Sequence, residues 1–378
     1  MKLHLLLLLG FTSFVVKKNE VSDTLYYEEF NVLENVSPQL LTYLQEIKAN
    51  KNSGIDIFHL GDSHVQIGEF SKGILNVFAQ KELSIQKSWY LPNLIFDDLS
   101  FTNKSLKAIS GDYSDEKITH KTKSLNVGLT GRTFRFEDEN TTLKFKFQEK
   151  LEKMEFLHSK NERLTFEMDK NLTIKSTFLN ENQKITQIGL KNFKSKLKLS
   201  IPNQTKELVE FYAIRHNFVE NQLSYSNFGV SGAKFSDFIF APKFMEQLEA
   251  LKPEIMIFTL GTNDSYYYEL DHKQFTSDLE SFIDKIKELS PKTELIFMSA
   301  PDTYFKNSKP KHLSFINSEI ERISKVKNCA FWNWNKIMGG ENSIHLWNKQ
   351  NFADKDLLHL TSKGYLLLGK LFGEAFLK

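Results

Sequence analysis

A single cysteine, Cys329, occurs in this chain of 378 residues. A disulfide within the chain is thereby excluded, and so is a cysteine-based metal cluster. The thiol sits in the apolar run Cys329-Ala330-Phe331-Trp332, which reads as buried structure rather than as a nucleophile. Net charge is nearly absent as well: 49 Lys and Arg against 47 Asp and Glu leave +2. No overall basic field draws such a chain to nucleic acid, and there is no acidic tail. The scattered lysines read as solvated surface. Beyond the first residues, no segment is long and apolar enough to cross a membrane.

The one extended apolar run stands at the N-terminus. Lys2 precedes Leu3 to Val16, and Lys17 and Lys18 follow. The run is too short to span a bilayer comfortably, and it resembles a signal peptide. An Ala-x-Ala-like cleavage site is missing, and no cysteine follows to make a lipoprotein. Residues 1–18 are therefore expected to form a signal-peptide-like segment, with a retained N-terminal anchor as the alternative. Either form sends the protein out of the cytoplasm, to a bacterial periplasm or beyond.

Against these absences, the segment Ile55 to Phe70 is rich in signal. Ile55 to Leu60 reads as a buried parallel strand. It ends at Gly61-Asp62-Ser63-His64, and a helical pattern runs on to about Gln80. A serine there has its hydroxyl at the sheet edge and its backbone N–H near a helix N-terminus, where negative charge is stabilised. Upstream, Ser37-Pro38 reads as a helix start, followed by Leu40, Leu41, Leu44 and Ile47 at helical spacing.

Residues 100–218 change character. Leu143, Phe145 and Phe147 alternate with lysines, and Leu164, Phe166 and Met168, then Leu197, Leu199 and Ile201, alternate with polar partners. Period-two alternation with one solvated face predicts antiparallel strands, here in a β-sandwich-like inserted module. From Leu223 the strand, turn, helix pattern resumes. Ile255 to Phe258 and Leu295 to Met298 read as parallel strands covered on both faces. Phe275, Leu279, Phe282, Ile283 and Ile286 mark an amphipathic helix between them, and a last helix starts near Ser362. The fold class expected is α/β, a three-layer parallel sheet flanked by helices and interrupted by an antiparallel β module. Its two parts are 19–99 and 219–378.

Three later segments bear on chemistry: Tyr225 to Ala233 around Gly232, Thr259-Leu260-Gly261-Thr262-Asn263-Asp264, and Asp356 to Tyr365. Ser63, Gly232 and Asn263 each follow a parallel strand, and such strand ends gather at one sheet edge. Asp356 and His359, before the last helix, can face that edge too. A serine hydroxyl is a poor nucleophile until a base takes its proton. His359 is the candidate base, with Asp356 to orient its ring. The N–H groups of Ser63 and Gly232 and the Asn263 amide are candidate oxyanion donors. Asp62 and Asp264 read as turn and helix-start acceptors. His64 reads as a pocket wall or a packing residue, because adjacent side chains diverge. His59 and His64 have poor spacing for a metal. Phe331, Trp332 and Trp334 read as a core strand of aromatics, with sugar stacking as the alternative.

The blocks Gly61-Asp62-Ser63, Gly232, Gly261-Thr262-Asn263-Asp264 and Asp356-x-x-His359 resemble, in order, the four blocks of SGNH (GDSL-type) hydrolases. The variant Gly-Asp-Ser-His, the inserted module and the segment from Phe331 to His359 are similar to bacterial peptidoglycan O-acetylesterases. That resemblance implies removal of acetyl esters from cell-wall sugar. It assigns catalysis to Ser63, Asp356 and His359, and the oxyanion hole to Ser63, Gly232 and Asn263. It implies an acetylated polysaccharide as substrate, no cofactor, no metal, no nucleic acid, no membrane contact beyond the N-terminal anchor, and a carbohydrate-binding role for the module. Acetyl transfer, deacetylation of another polysaccharide and a non-catalytic glycan-binding protein on a hydrolase scaffold are the alternatives.

Overall fold

Ser37 caps the first helix as its sequence promises, accepting from the Leu40 N–H with Pro38 in the first turn. The buried stripe of that helix is Leu40, Tyr43, Leu44 and Ile47, whereas Leu41 is 46% exposed. The difference is angular. Positions i, i+3, i+4 and i+7 share a face, and i+1 lies about 100° away from it. The computed structural model describes residues 24–51, 54–89, 109–110, 113–120, 127–136, 140–159, 172–178, 183–202, 209–306 and 308–378. The N-terminal segment 1–18 and the strand expected over Leu164 to Met168 lie outside the described residues.

The chain runs β1 (Leu33–Glu34), α1 (Pro38–Lys48), β2 (Asp56–Gly61), α2 (Ser63–Gln66), α3 (Glu69–Gln80) and β3 (Ile85–Lys87). The helix expected from Ser63 to Gln80 is thus two helices, because Gly68 between them takes φ +84°. Next come β4 (Ile109–Ser110), β5 (Tyr113–Lys117), β6 (Arg132–Phe136), β7 (Asn140–Ser159), β8 (Leu172–Phe178), β9 (Gln183–Pro202) and β10 (Val209–His216). Alternating order then returns with β11 (Leu223–Gly229), α4 (Phe235–Ile239), α5 (Phe244–Leu251), β12 (Ile255–Thr259), α6 (Thr262–Ser265), α7 (His272–Leu289), β13 (Glu294–Met298) and α8 (Leu313–Val326). β14 (Ala330–Trp332), α9 (Trp334–Met338), α10 (Ser343–Lys349) and α11 (Ser362–Phe376) complete it.

One sheet has the order β1-β14-β13-β12-β2-β11-β3 and is parallel except at the short edge strand β1. Alternate residues of its strands feed two cores. Ile57, Tyr225, Ile257, Ile296 and Trp332 face α1, α3 and α11, while Phe58, Phe228, Phe258, Phe297 and Phe331 face α4, α5, α7 and α8. This is the three-layer α/β arrangement. Trp332, Trp334 and Trp347 are all fully buried, so the aromatic run builds core.

Strands β4 to β10 make a second, antiparallel sheet with the order β5-β6-β10-β7-β9-β8, and β4 paired to β7. These described strands join in one sheet. Alternation signals a covered face and is silent on what covers it. Part of the cover is the α/β unit: Ile118, Val127, Leu129, Leu157, Tyr212 and Ala213 belong to the same buried cluster as Phe58, Phe228, Phe238 and Phe244. Gln247 on α5 adds a buried polar tie, accepting from the Leu129 N–H at 2.8 Å.

A shared core predicts shared unfolding. Leu157→Ala, in the second sheet, is expected to cost about 2–5 kcal/mol and to move one transition seen by tryptophan fluorescence. Trp332, Trp334 and Trp347 lie in the other core and Trp89 in the shared one, so in a Trp89→Phe background a fluorescence transition left in place would mean that the sheets unfold independently.

Candidate active site

The site forms where β2, β11 and β12 end side by side, and the placement of Ser63 begins with glycine. Helix α2 presses onto the ends of two strands. A Cβ on Gly61 would lie 2.2 Å from Val65 Cγ2, and one on Gly229 would lie 2.2 Å from the Gln66 nitrogen. Any side chain at either position would push α2, and Ser63 with it, off the sheet. Asp62 caps α2, accepting from the His64 N–H at 2.9 Å. Asp264 accepts from the Phe235 N–H at 3.1 Å and so anchors the turn after β11. Both aspartates act as local acceptors.

Beneath α2 lies a buried polar relay. Thr259 Oγ1 donates to Met298 Sδ at 3.0 Å, so its contact of 2.7 Å with His59 Nε2 needs a proton from the ring. His59 Nδ1 then accepts from the Tyr225 hydroxyl at 2.5 Å. Tyr225 in turn accepts from Ser71 Oγ at 3.1 Å, and Ser71 accepts from Asn227 Nδ2 at 2.8 Å. The same amide donates to the Val65 carbonyl at 2.8 Å, and Asn227 Oδ1 accepts from the Gly229 N–H at 2.9 Å. Burial drives the His59 pKa down to about 3, so the relay stays uncharged. Sequence reading did not assign Tyr225, Asn227, Ser71 or Gly229 to this support. The available signal was polar residues inside a strand otherwise buried on both faces.

Ser63, Asp356 and His359 meet. His359 Nε2 is 3.0 Å from Ser63 Oγ across 296 positions of sequence, and His359 Nδ1 is 2.7 Å from Asp356 Oδ2. Asp356 Oδ1 accepts from the N–H groups of Leu358 and His359 at 3.0 and 2.9 Å. Partial burial alone would raise the Asp356 carboxyl. The His359 ring and those two N–H groups outweigh it and hold the carboxyl below its ordinary value. The loop carrying the pair is held by Tyr304, whose N–H donates to the Leu357 carbonyl at 2.8 Å, and by Asp354, whose N–H donates to the His359 carbonyl at 2.9 Å.

Gly232 lies three residues past β11 with φ +84°, a conformation that L side chains rarely adopt, while the space beside it is open. The Gln66 side chain accepts from the Ser231 N–H at 2.5 Å and fixes the turn. The nearest atom to a Cβ at Gly232 would be Thr119 Cγ2 at 4.0 Å, so the inserted module reaches the edge of the site. Asn263 Nδ2 donates to the Ala233 carbonyl at 3.0 Å and lies 3.4 Å from Asp62 Oδ2. One of its two amide protons is therefore committed, and the other makes only a long contact. His64 is buried against the His359 ring. Among the described residues, no three His, Cys, Asp or Glu side chains are grouped to hold a metal ion. Cys329 is buried, and burial pushes its thiol up to about 11.

Residues 208–367 match the model of the GDSL-like Lipase/Acylhydrolase family. The fold superposes on a solved peptidoglycan O-acetylesterase with a TM-score of 0.70 at 16% identity, covering 90% of this chain and 95% of that one. Smaller overlaps occur with a lipase/acylhydrolase from Enterococcus faecalis (TM-score 0.33, 18% identity, 40% of this chain and 75% of that one) and with an acetyl xylan esterase (TM-score 0.34, 15% identity, 40% and 80%). At these identities the likeness is one of fold. No curated protein matches the chain. The chain has the SGNH-like α/β fold, and the resemblance drawn from its motifs holds in both the family match and the architecture.

Burial pushes the carboxyls of Asp62 and Asp264 up to about 7. In the unfolded chain both titrate near about 3.9. Between those values the folded state keeps protons that the unfolded state has released, so stability falls as pH rises from about 4 to about 7. Asp264→Asn keeps an acceptor for the Phe235 N–H and is expected to flatten the fall in melting temperature across that range. An unaltered slope would show that Asp264 ionises normally.

Proposed function

We propose that the chain is a serine esterase that removes O-acetyl groups from a cell-wall glycan, with peptidoglycan as the substrate. The observation that carries the chemistry is the hydrogen-bonded chain from Ser63 Oγ through His359 to Asp356 at the strand ends. Ser63 Oγ attacks the acetyl carbonyl carbon as His359 Nε2 takes its proton, and Asp356 balances the imidazolium. The backbone N–H groups of Ser63 and Gly232 and the second amide proton of Asn263 receive the oxyanion. Collapse breaks the bond to the sugar oxygen, which leaves with the proton from His359. Water, deprotonated by the same nitrogen, then attacks the acetyl-enzyme. Acetate departs and Ser63 regains its proton. No cofactor enters these steps.

Support for the glycan comes from the match to a peptidoglycan O-acetylesterase across both sheets, and from the surface beside the site. A groove of about 200 Å³ between Lys234 and Tyr267 is lined by Asp271, Gln274 and Asp278 and by Ile239, Leu270 and Phe275, and Tyr267 and Tyr268 are exposed next to it. Carboxylates and an amide set among apolar side chains and exposed tyrosines suit a sugar, whose hydroxyls meet the polar groups and whose C–H face meets the rings. The proposed substrate and the N-terminal apolar run from Leu3 to Val16 both support a location outside the cytoplasm.

The protein is expected to release p-nitrophenol from p-nitrophenyl acetate near neutral pH. Ser63→Ala should lower turnover by about 10³-fold or more while leaving the melting temperature within a few degrees. Turnover that survives the substitution would remove Ser63 from its role. Acetate release should be faster from O-acetylated peptidoglycan than from acetylated xylan. The opposite order would move the substrate to another polysaccharide, and acetyl groups passed to sugar instead of water would make the protein a transferase.

A further inference from the structure

We infer that His64 and Tyr365 form a positioning pair for the His359 ring: the Tyr365 hydroxyl tethers His64, and the His64 ring is the wall that holds the imidazole toward Ser63. The inference rests on the esterase reading above and adds two residues to it.

His64 follows Ser63 on α2 and is 1% exposed. Its ring centroid is 5.6 Å from that of His359, at an inter-ring angle of 48°, and 5.6 Å from the Trp334 ring on its other contact. Trp334 stacks on Phe70 at 5.1 Å and 11°. The imidazole is thus backed by an aromatic column that continues into the core. His64 Nδ1 is 2.8 Å from the Tyr365 hydroxyl. Tyr365 is on α11, the helix into which the His359 loop runs. The pair therefore joins the element that carries the serine to the element that carries the histidine, next to the 3.0 Å contact that catalysis needs.

The chemistry of His64 favours this use over simple filling. Its Nε2 is buried without a hydrogen-bond partner. Such an atom is costly, and a phenylalanine or leucine would fill similar space without the cost. What histidine brings is a flat ring that a hydroxyl can orient. The ring also stays neutral, since burial drives its pKa down to about 3. The acidic groups acting around the two rings are Asp356, whose carboxyl is held below its ordinary value, and Asp62, whose carboxyl burial pushes up to about 7. A neutral π-system within about 6 Å is compatible with the imidazolium that forms in the reaction, where a second cation would oppose it.

The test uses the full chain and compares His64→Leu, His64→Phe, Tyr365→Phe and the double variant that combines His64→Phe with Tyr365→Phe. Turnover of p-nitrophenyl acetate and the rate of Ser63 labelling by a fluorophosphonate are measured, with melting temperature as the folding control. His64→Leu removes the wall and should lower kcat and labelling by about 10²-fold, with KM within about threefold. His64→Phe keeps the wall and loses only the tether, for about a three- to tenfold loss. Tyr365→Phe also loses the hydroxyl's bond with the Leu360 backbone, so it should lose at least as much, and the double variant should be no worse than Tyr365→Phe alone. Equal losses for His64→Leu and His64→Phe, or losses that multiply in the double variant, would overturn the pair. If His64→Leu does not fold, the comparison of His64→Phe and Tyr365→Phe with their double still decides. A wild type that neither hydrolyses nor takes the label would overturn the esterase reading itself, which is a different result from a reactive wild type whose variants are unaffected.

Discussion

The constraint on which the site depends lies behind it, where α11 crosses α3. A Cβ on Gly73 would lie 2.6 Å from the Leu366 carbonyl oxygen, and one on Gly369 would lie 2.0 Å from the Phe70 carbonyl oxygen. The two helices therefore touch backbone to backbone, closer than side chains allow. Phe372 against Phe70 and Phe376 against Phe78 extend the contact along both helices. This close packing fixes where α11 begins. Thr361 caps it, and His359 stands two residues before that cap. The 3.0 Å between His359 and Ser63 is thus set by helix packing on one face of the sheet and by the glycines under α2 at the strand ends.

Electrostatics follow from the same packing. The polar groups under Ser63 are buried and neutral, while the Asp356 and His359 pair is partly open to solvent, with side chains 38% and 31% exposed. A relay made only of neutral donors and acceptors holds α2 without adding charge to the low-dielectric interior, where an unpaired charge costs several kcal/mol. The Asp356 and His359 pair is the one whose charge changes in the proposed reaction. Support and chemistry are separated by depth.

Much of this was legible in the sequence because its signals are local. Strands buried on both faces read as apolar runs, α7 was marked residue for residue by its buried stripe, and the four motif blocks named Ser63, Gly232, Asn263, Asp356 and His359 before any of them were seen together. What was not legible depends on the third dimension. Leu41 fits helical spacing as well as Tyr43 does until the direction of the core is known. The His59 to Asn227 relay joins three elements, and no residue in it is unusual by itself. The module reads as an inserted β-sandwich because alternation shows that a face is covered and cannot show that part of the cover is the α/β core.

That last difference changes what the insertion means for the site. Gly131 of the module would, with a Cβ, lie 2.7 Å from Val230 Cγ2, and Thr119 is the neighbour of Gly232. Val230 and Gly232 belong to the turn after β11, which the Ser231 N–H ties to Gln66 on α2. The turns at the end of the second sheet are therefore packed on the loop that carries Gly232, the proposed oxyanion donor. An oxyanion donor works by being fixed before the charge appears, and here part of the fixing comes from the inserted sheet. The module is a wall of the site as well as a surface beside it, so in the proposed reaction its influence extends to the chemical step on the smallest ester.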